Sequence, residues 1–452
     1  MNHHSSFPLA RLPRRASRLI AIAAVTALLV CPVHAASSQE TGSAGAGLTL
    51  RALLDSVRNG HPSIRAAESR VRAAEGSRVT ARAFGNPVLG YQVDQTPFPG
   101  GRPLPGIDRQ AVTTATLPLE GLYQRGPRVA RGNAQVRAAE ADAMVVRQRV
   151  ALDAATAYFR AAIDQVQLAT TRDLVGWLDT VVAYNRSRVT EGVTSEADLI
   201  RSELERDRMT AEAGMQAAEL AQARASLTAF LSDSPAPVGS ALVAVDGMPF
   251  SLPADAPVTS ALERRPDVRA GRERVTAATA NVAAERAMTF RQLGATIGTM
   301  RMSGTTSMIA GISLPVPLFD PNRGEIQRAN AERDAALFDL AAQERTANAE
   351  LRGAYDAARL LTDRAEPLAR RDSNSFLARA EESRRIALGA YREGAVPLLQ
   401  VIDAARTWAD VRLTYYRTIF AQQQSVLALI VAQGLDLYSA LPALATPGDL
   451  RR

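Results

Sequence analysis

Few residues in this chain are able to do chemistry, and their spacing assigns most of them to structure. There is one Cys, Cys31, and of the four His only His61 lies beyond the first 35 residues. A lone imidazole beside Pro62 makes no metal site, because a zinc-type centre needs about four converging ligands. Met300, Met302 and Met308 cluster across one expected hairpin and offer soft sulfur, either to a metal or, more simply, to strand packing. No nucleophile–base pair and no phosphate loop stands out, so no cofactor is expected and the chain is not read as an enzyme. Two carboxylates sit where new helices are expected to begin. Asp198 follows Ser195 by three residues, which has the form of a capping box. Asp403 lies past a first helical turn, where capping does not account for it; its plain alternative is a solvated face.

Long helices must carry these groups. From Arg128 to Ser234 there is no Pro. A helix over 128–190 is expected to extend about 95 Å at ~1.5 Å per residue, longer than an ordinary globular domain. Glu191-Gly192-Val193-Thr194 is the expected turn, with a second helix from Ser195 to about Leu231. A helix from Thr49 to about Phe84 is expected to break at Gly60-His61-Pro62, and 258–290 is expected to be helical. Asn322 to Arg392 reads as one helix with an irregularity at Pro367. Glu393-Gly394-Ala395-Val396 is the next turn, and Pro397 opens the last helix, which runs to about Gln433. On that helix Trp408, Val411, Tyr415, Ile419, Val426 and Leu429 keep the 3–4 spacing of a buried stripe.

The chain also says the same thing twice. Ser63-Ile64-Arg65-Ala66 with Arg70-Val71 recurs as Asp267-Val268-Arg269-Ala270 with Arg274-Val275, each just after a Pro. Leu117-Pro118, Arg131, Asn133, Tyr158 and Glu191-Gly192 recur as Leu314-Pro315, Arg328, Asn330, Tyr355 and Glu393-Gly394. So long an offset marks a duplicated half rather than a solenoid unit, whose period is ~20–50 residues. The halves are placed at 48–234 and 258–438, joined by a Pro-rich linker at 235–257 and followed by a tail at 439–452.

Each half holds two segments of another kind, about 86–95 and 109–119, then 291–302 and 306–318. Leu89, Tyr91 and Val93 share one face; so do Leu293, Ala295 and Ile297, and Met308, Ala310, Ile312 and Leu314. Each is ~10 residues, the length of a tilted membrane strand. They read as two pairs, each closed by a Gly-rich connection. Four strands cannot close a barrel, and open edges cannot sit in lipid, so membrane strands require several chains to build one wall. Two small hairpins capping a helical bundle is the plain alternative.

Composition agrees with export. Arg11, Arg14, Arg15 and Arg18 precede an apolar run from Leu19 to Val30 and a small-residue cleavage pattern at Val33-His34-Ala35, so 1–35 reads as a signal peptide and 36–47 as a disordered leader. Cys31 is a candidate lipidation site, although Val30 just before it is bulky where lipoprotein signals want a small residue. Losing four Arg and no acid lowers the formal charge from +7 to +3. Every basic residue is Arg, and the charges are interspersed, so nucleic acid is not an expected partner.

The duplication, the strand pair per half, and the runs Ile312–Ile326, Glu191–Leu199 and Tyr391–Ala404 resemble the TolC family of outer-membrane efflux proteins. Asn86-Pro87, Leu117-Pro118-Leu119-Glu120 and Leu314-Pro-Val-Pro-Leu-Phe-Asp320 resemble its cobalt–zinc–cadmium branch, which exports metal through RND pumps. The resemblance implies a mainly α fold with a small β part. Long helical hairpins from a homotrimer would line a periplasmic α-barrel, and four strands per chain would share a twelve-stranded barrel in outer-membrane lipid. It implies a passive exit duct for heavy-metal cations, docked to a periplasmic adaptor and an inner-membrane RND pump. By motif it places Asp198, Asp403 and Tyr391 at a periplasmic gate. Gln400 stands where relatives can carry a further acid. Gly192-Val193 and Gly394-Ala395 fall on turns that meet the adaptor. Drug efflux and type I secretion are the alternatives as cargo, and a periplasmic coiled-coil adaptor is the alternative as class.

Overall fold

The computed structural model describes residues 48–94, 101, 106, 109–231, 248–253, 258–370, 372 and 374–444. The signal segment with Cys31, the leader, most of the 235–257 linker and the end of the tail lie outside the described residues. The first half runs α1 (Leu50–Gly60), α2 (Pro62–Arg82), β1 (Val88–Asp94), β2 (Gln110–Pro118), α3 (Arg125–Thr190) and α4 (Glu196–Thr228). The second repeats that order as α5 (Val258–Arg264), α6 (Pro266–Ala287), β3 (Gly294–Met302), β4 (Thr305–Ser313), α7 (Arg323–Leu368), α8 (Phe376–Arg392) and α9 (Leu398–Ala432). A last helix, α10 (Leu437–Leu444), occupies the start of the segment read as a tail.

Local chemistry explains the boundaries. Thr49 caps α1, its hydroxyl accepting from the Ala52 amide at 3.2 Å. His61 closes α1 and opens α2, with Nδ1 accepting from the Ser63 amide at 3.2 Å and Pro62 at the first helical position. The second half has the same break, at Arg265-Pro266, where one continuous helix was expected. The extended backbone required before Pro266 ends α5. At that corner Arg265 is buried. Its guanidinium donates to both carboxylate oxygens of Asp267, at 3.0 and 2.6 Å, and to Glu350 of α7 at 2.6 Å.

α3 spans 66 residues without interruption, about 100 Å at ~1.5 Å per residue. Its counterpart is not continuous. Pro367 sits in the last turn of α7, and the chain leaves the helix after Leu368 until Ser375 caps α8. The expected irregularity is thus a full break, since Pro lacks the amide that would extend the ladder.

The strands form one sheet in the order β1-β2-β3-β4, antiparallel throughout. The expected separate pairs are therefore joined, because β2 pairs with β3 across the two halves. β4 stops at Ser313, short of the expected 318, where Pro315 and Pro317 remove ladder donors. Register sets the face of each side chain, and the two faces differ in balance. Leu89, Tyr91, Leu117, Ile297, Met308 and Ile312 lie on one face, all exposed. Gln92, Asp94, Gln110, Thr114, Thr116, Thr296 and Ser307 lie on the other, interspersed with Gly90, Gly294, Gly298 and Gly311 and with the apolar Val88, Val112, Met300, Met302 and Ile309. There the Thr116 and Thr296 hydroxyls hydrogen-bond at 2.9 Å. Gly298 is required by close approach, because a Cβ would collide with the Thr113 carbonyl of β2. Met308 pairs with Thr299, whereas Met300 and Met302 pair with Ser307 and Thr305. The three sulfurs therefore divide between opposite faces and do not form the cluster that their sequence positions suggested.

The main core gathers where α1, α3, α7 and α9 meet, around Leu53, Leu54, Tyr158, Phe159, Ile419, Phe420 and Leu429. Residues 248–253 dock against this core. Gln422 Nε2 donates to the Phe250 carbonyl at 2.8 Å and its Oε1 accepts from the Phe250 amide at 2.9 Å, while Gln423 donates to the Met248 carbonyl at 2.8 Å. Among the described residues no helix is long and apolar enough to cross a membrane.

Candidate functional site

The two turns far along the hairpins are built alike. After α3 the Gly192 amide donates to the Val189 carbonyl at 3.0 Å and the Val193 amide to the Arg188 carbonyl at 2.9 Å. After α8 the Gly394 amide donates to the Tyr391 carbonyl at 3.0 Å and the Ala395 amide to the Ala390 carbonyl at 2.8 Å. Both glycines hold positive φ, +71° and +79°, the left-handed cap that a Cβ disfavours. No described atom would meet a Cβ at either position, so conformation and not space requires Gly. Gly192, Val193, Gly394 and Ala395 are all exposed.

Ser195 begins α4 by accepting from the Ala197 amide at 3.1 Å. The reciprocal half of the expected capping box is absent. The Asp198 carboxylate makes no hydrogen bond with any described residue. It lies half-buried instead, near enough to Tyr391 for its charge to act on the phenol. Tyr391, in the last turn of α8, is buried and donates to Asn185 Oδ1 of α3 at 2.6 Å. Asn185 in turn donates to Ser202 Oγ of α4 at 3.3 Å, and Ser202 donates to the Leu199 carbonyl at 2.8 Å. Burial raises the Tyr391 pKa and the Asp198 charge raises it further, against the opposing effects of Asn185 and Arg188. Gln400 and Asp403 lie on the first two turns of α9, exposed, and their side chains make no hydrogen bond with described residues. Tyr391 and Asp198 thus share one polar cluster, while Gln400 and Asp403 stand outside it.

Further links hold the two hairpins together. The Tyr184 hydroxyl donates to the Arg392 carbonyl at 3.1 Å, and its ring meets Tyr391 edge-on at 5.8 Å. Arg406 of α9 pairs with Glu205 of α4 at 2.6 Å, and Arg412 with Asp173 of α3 at 2.6 Å. Arg384 of α8 lies over Trp408 at 4.2 Å and reaches Trp177 of α3 at 6.0 Å. Asn185, Ser202 and Arg384 carry this architecture and escape a reading by motif. Their signal is a polar residue on the inward stripe of a long helix, visible only once helix phase is known. No group of three or more His, Cys, Asp or Glu able to hold a metal occurs among the described residues.

Among the described residues, backbone packing at both levels orders the elements in a row with two open margins. Near the turns the order is α4-α3-α9-α8; beside the sheet it is α2-α3-α6-α7. The free side of α4 carries an open groove of about 450 Å³ lined by Ala197, Ile200, Arg201, Leu204, Glu205 and Arg208, with Leu204 65% exposed.

Comparison with known proteins agrees with this architecture. The chain is 26% identical over 401 residues to the cobalt-zinc-cadmium resistance protein CzcC of Cupriavidus metallidurans, covering 85% of this chain and 91% of that protein. It is 29% identical over 303 residues to the nickel-cobalt-cadmium resistance protein NccC of Alcaligenes xylosoxydans, covering 65% and 66%. In fold it is similar to the solved structure of CusC, with TM-score 0.70, 19% identity and coverage of 89% of this chain and 96% of that one. The open-state outer membrane channel MtrE of Neisseria gonorrhoeae also gives TM-score 0.70, at 18% identity and 85% and 89% coverage. The model of the outer membrane efflux protein family matches residues 53–232 and 258–435, one stretch in each half. The chain therefore belongs to the outer membrane efflux protein family: it is a channel protein of the outer membrane whose helices extend into the periplasm.

Proposed function

We propose that this protein is the passive exit duct of a tripartite pump for heavy-metal cations, assembled as a homotrimer. One observation carries the duct: among the described residues, a sheet with one largely apolar face and one richer in polar residues and Gly ends on both sides in an unpaired strand, β1 and β4. Placed in lipid, those edges are satisfied only by further copies of the chain, and three copies make a twelve-stranded wall with the Thr- and Gly-rich face inward. The free margins of α2 and α4 on one side and α7 and α8 on the other let a head-to-tail ring close through the periplasmic part as well. A periplasmic adaptor has no use for such a sheet.

In this reading the turns at Gly192-Val193 and Gly394-Ala395 meet an adaptor, which couples the duct to an RND-type pump in the inner membrane. Asp198, Gln400, Asp403 and Tyr391 form the gate. Asp403, without a partner among the described residues, repeats three times around the axis and attracts cations as a carboxylate ring does. Tyr391 holds the α8–α9 hairpin against α3 and keeps the tip closed. The energy comes from the pump, and the duct performs no chemistry. Metal as cargo is supported by the resistance proteins named above. The test is a deletion strain challenged with cobalt, zinc and cadmium, and separately with lipophilic drugs. Restoration of metal tolerance alone supports the reading; restoration of drug tolerance alone refutes the cargo.

A further inference from the structure

Among the described residues, the apolar face of the sheet carries one fixed charge within its strands that neither the channel nor the gate employs, and a second just before β2. Arg301, the second-last residue of β3, pairs with Ala111 and Thr306, and so shares a face with Ile297, Met308 and Ile312. It is exposed and makes no hydrogen bond or ion pair with any described residue. Arg109, one residue before β2, continues the alternation onto the same face and is likewise exposed and without such a partner among the described residues. Register sets Arg109 diagonally across from Arg301, within reach of long side chains.

Position along the strand gives this pair its meaning. From Ala295, at the helix end of β3, to Arg301 is about 20 Å along the strand at ~3.3 Å per residue. Tilt shortens that rise to about 15 Å, and the exposed Leu314, Val316 and Leu318, which follow β4 on the helix side, extend the apolar surface toward the roughly 25 Å of a barrel's band. A cation on a lipid-facing strand is disfavoured most at the midplane and scarcely at the interface. Arg301 thus occupies the tolerated end, away from the periplasmic helices and level with the headgroups of the outer leaflet. There the polar groups presented to a guanidinium are the phosphates of the leaflet's glycolipid. The planar fork matches a phosphate with two parallel bonds, and the residue is Arg rather than the point charge of Lys.

We infer that Arg301, with Arg109 beside it, binds the phosphate groups of outer-leaflet phosphorylated glycolipid and fixes the depth of the barrel. The inference rests on the outer-membrane channel reading and names the lipid headgroup of that surface. Its test uses the purified full chain in detergent with bisphosphorylated lipid A or its dephosphorylated form as probes. Retained lipid is counted by native mass spectrometry, and thermal unfolding is followed in parallel. The wild type should retain the phosphorylated probe and unfold several degrees higher with it, while ignoring the dephosphorylated one. R301Q should retain about tenfold less, as for loss of one charged hydrogen-bonding partner, and R301Q/R109Q should lose the thermal shift. Equal retention of both probes by the wild type overturns the inference whatever the variants do. So does R301Q matching the wild type, and so does a preference for inorganic phosphate or phosphatidylglycerol over lipid A. Wild-type chain absent from the outer-membrane fraction overturns the channel reading together with it.

Discussion

At the scale of single residues the candidate gate separates into a held part and a free part. Tyr391 is held, with its hydroxyl on Asn185 and its ring against Tyr184. Tyr391→Phe keeps the ring and removes the bond, leaving Asn185 short of one donor, at a cost of about 1–2 kcal/mol. The hairpins should then separate more readily. Both Trp of the protein lie at that seam, one on α3 and one on α9, so intrinsic fluorescence should shift to the red in the variant. An unchanged spectrum together with unchanged conductance denies Tyr391 a latching role. Asp403 has no partner among the described residues, and Asp403→Ala removes charge without disturbing any described contact. Single-channel recording in planar bilayers should show higher conductance and weaker block by divalent cations. If neither quantity moves, Asp403 is not in the gate.

At the scale of elements, the two glycine turns are the features that sequence displayed most plainly. Glu191-Gly192 and Glu393-Gly394 repeat as a pair, and both have the same backbone bonds and the same sign of φ. Gly394→Val forces a branched side chain into the left-handed region at a cost of about 1–2 kcal/mol and alters the exposed surface there. Export should fall while outer-membrane insertion persists. Full export with normal pulldown of the pump removes this turn from the adaptor contact. Elsewhere legibility followed the reach of each signal. The break at Gly60-His61-Pro62 was visible because two helix breakers, Gly60 and Pro62, flank one residue. Its twin at Arg265-Pro266 was masked by two strongly helical arginines, although the repeat pointed to it. The extent of the strands was legible from alternation, but β2–β3 pairing was not. That contact joins residues about 180 apart, and no local pattern reports it. The capping box failed because Ser195 chose the Ala197 amide over that of Asp198. The Asn185–Tyr391 contact was invisible for the same reason as β2–β3, since its partners stand 206 positions apart.

At the scale of the whole molecule, stability and pH are coupled through Tyr158, buried in the main core, and Asp267, paired with Arg265 at the α5–α6 corner. Burial pushes the Tyr158 phenol up to about 12, more than the Leu50 backbone bond lowers it. A phenol whose pKa rises on folding lends stability that is complete below its unfolded value near 10 and is lost as pH climbs toward 12. Asp267 has the opposite sign. Burial pushes its carboxyl up, but the Arg265 guanidinium outweighs burial and holds it below its ordinary value. Its contribution is therefore present above the ordinary carboxylate range and fades as pH falls through the lowered value. Thermal unfolding followed from pH 3 to 12 should give a plateau with two falling limbs. Tyr158→Phe should flatten the alkaline limb by about 2–3 kcal/mol, since one pKa unit is ~1.36 kcal/mol. An alkaline limb identical to the wild type would show that Tyr158 does not titrate with unfolding.

The bare margins of β1 and β4 also bear on how quickly the pore wall matures. A solitary newly exported copy offers rows of unsatisfied amides and carbonyls to any extended peptide it meets, which is the usual start of aggregation. Productive closure is an encounter among three such copies, so its rate should climb with roughly the cube of their local supply, while misjoining with unrelated strands climbs only linearly. Weak, dispersed synthesis should therefore waste a larger share of the chain than a concentrated burst does, and proteolysis of stranded copies would set the lower limit of useful expression.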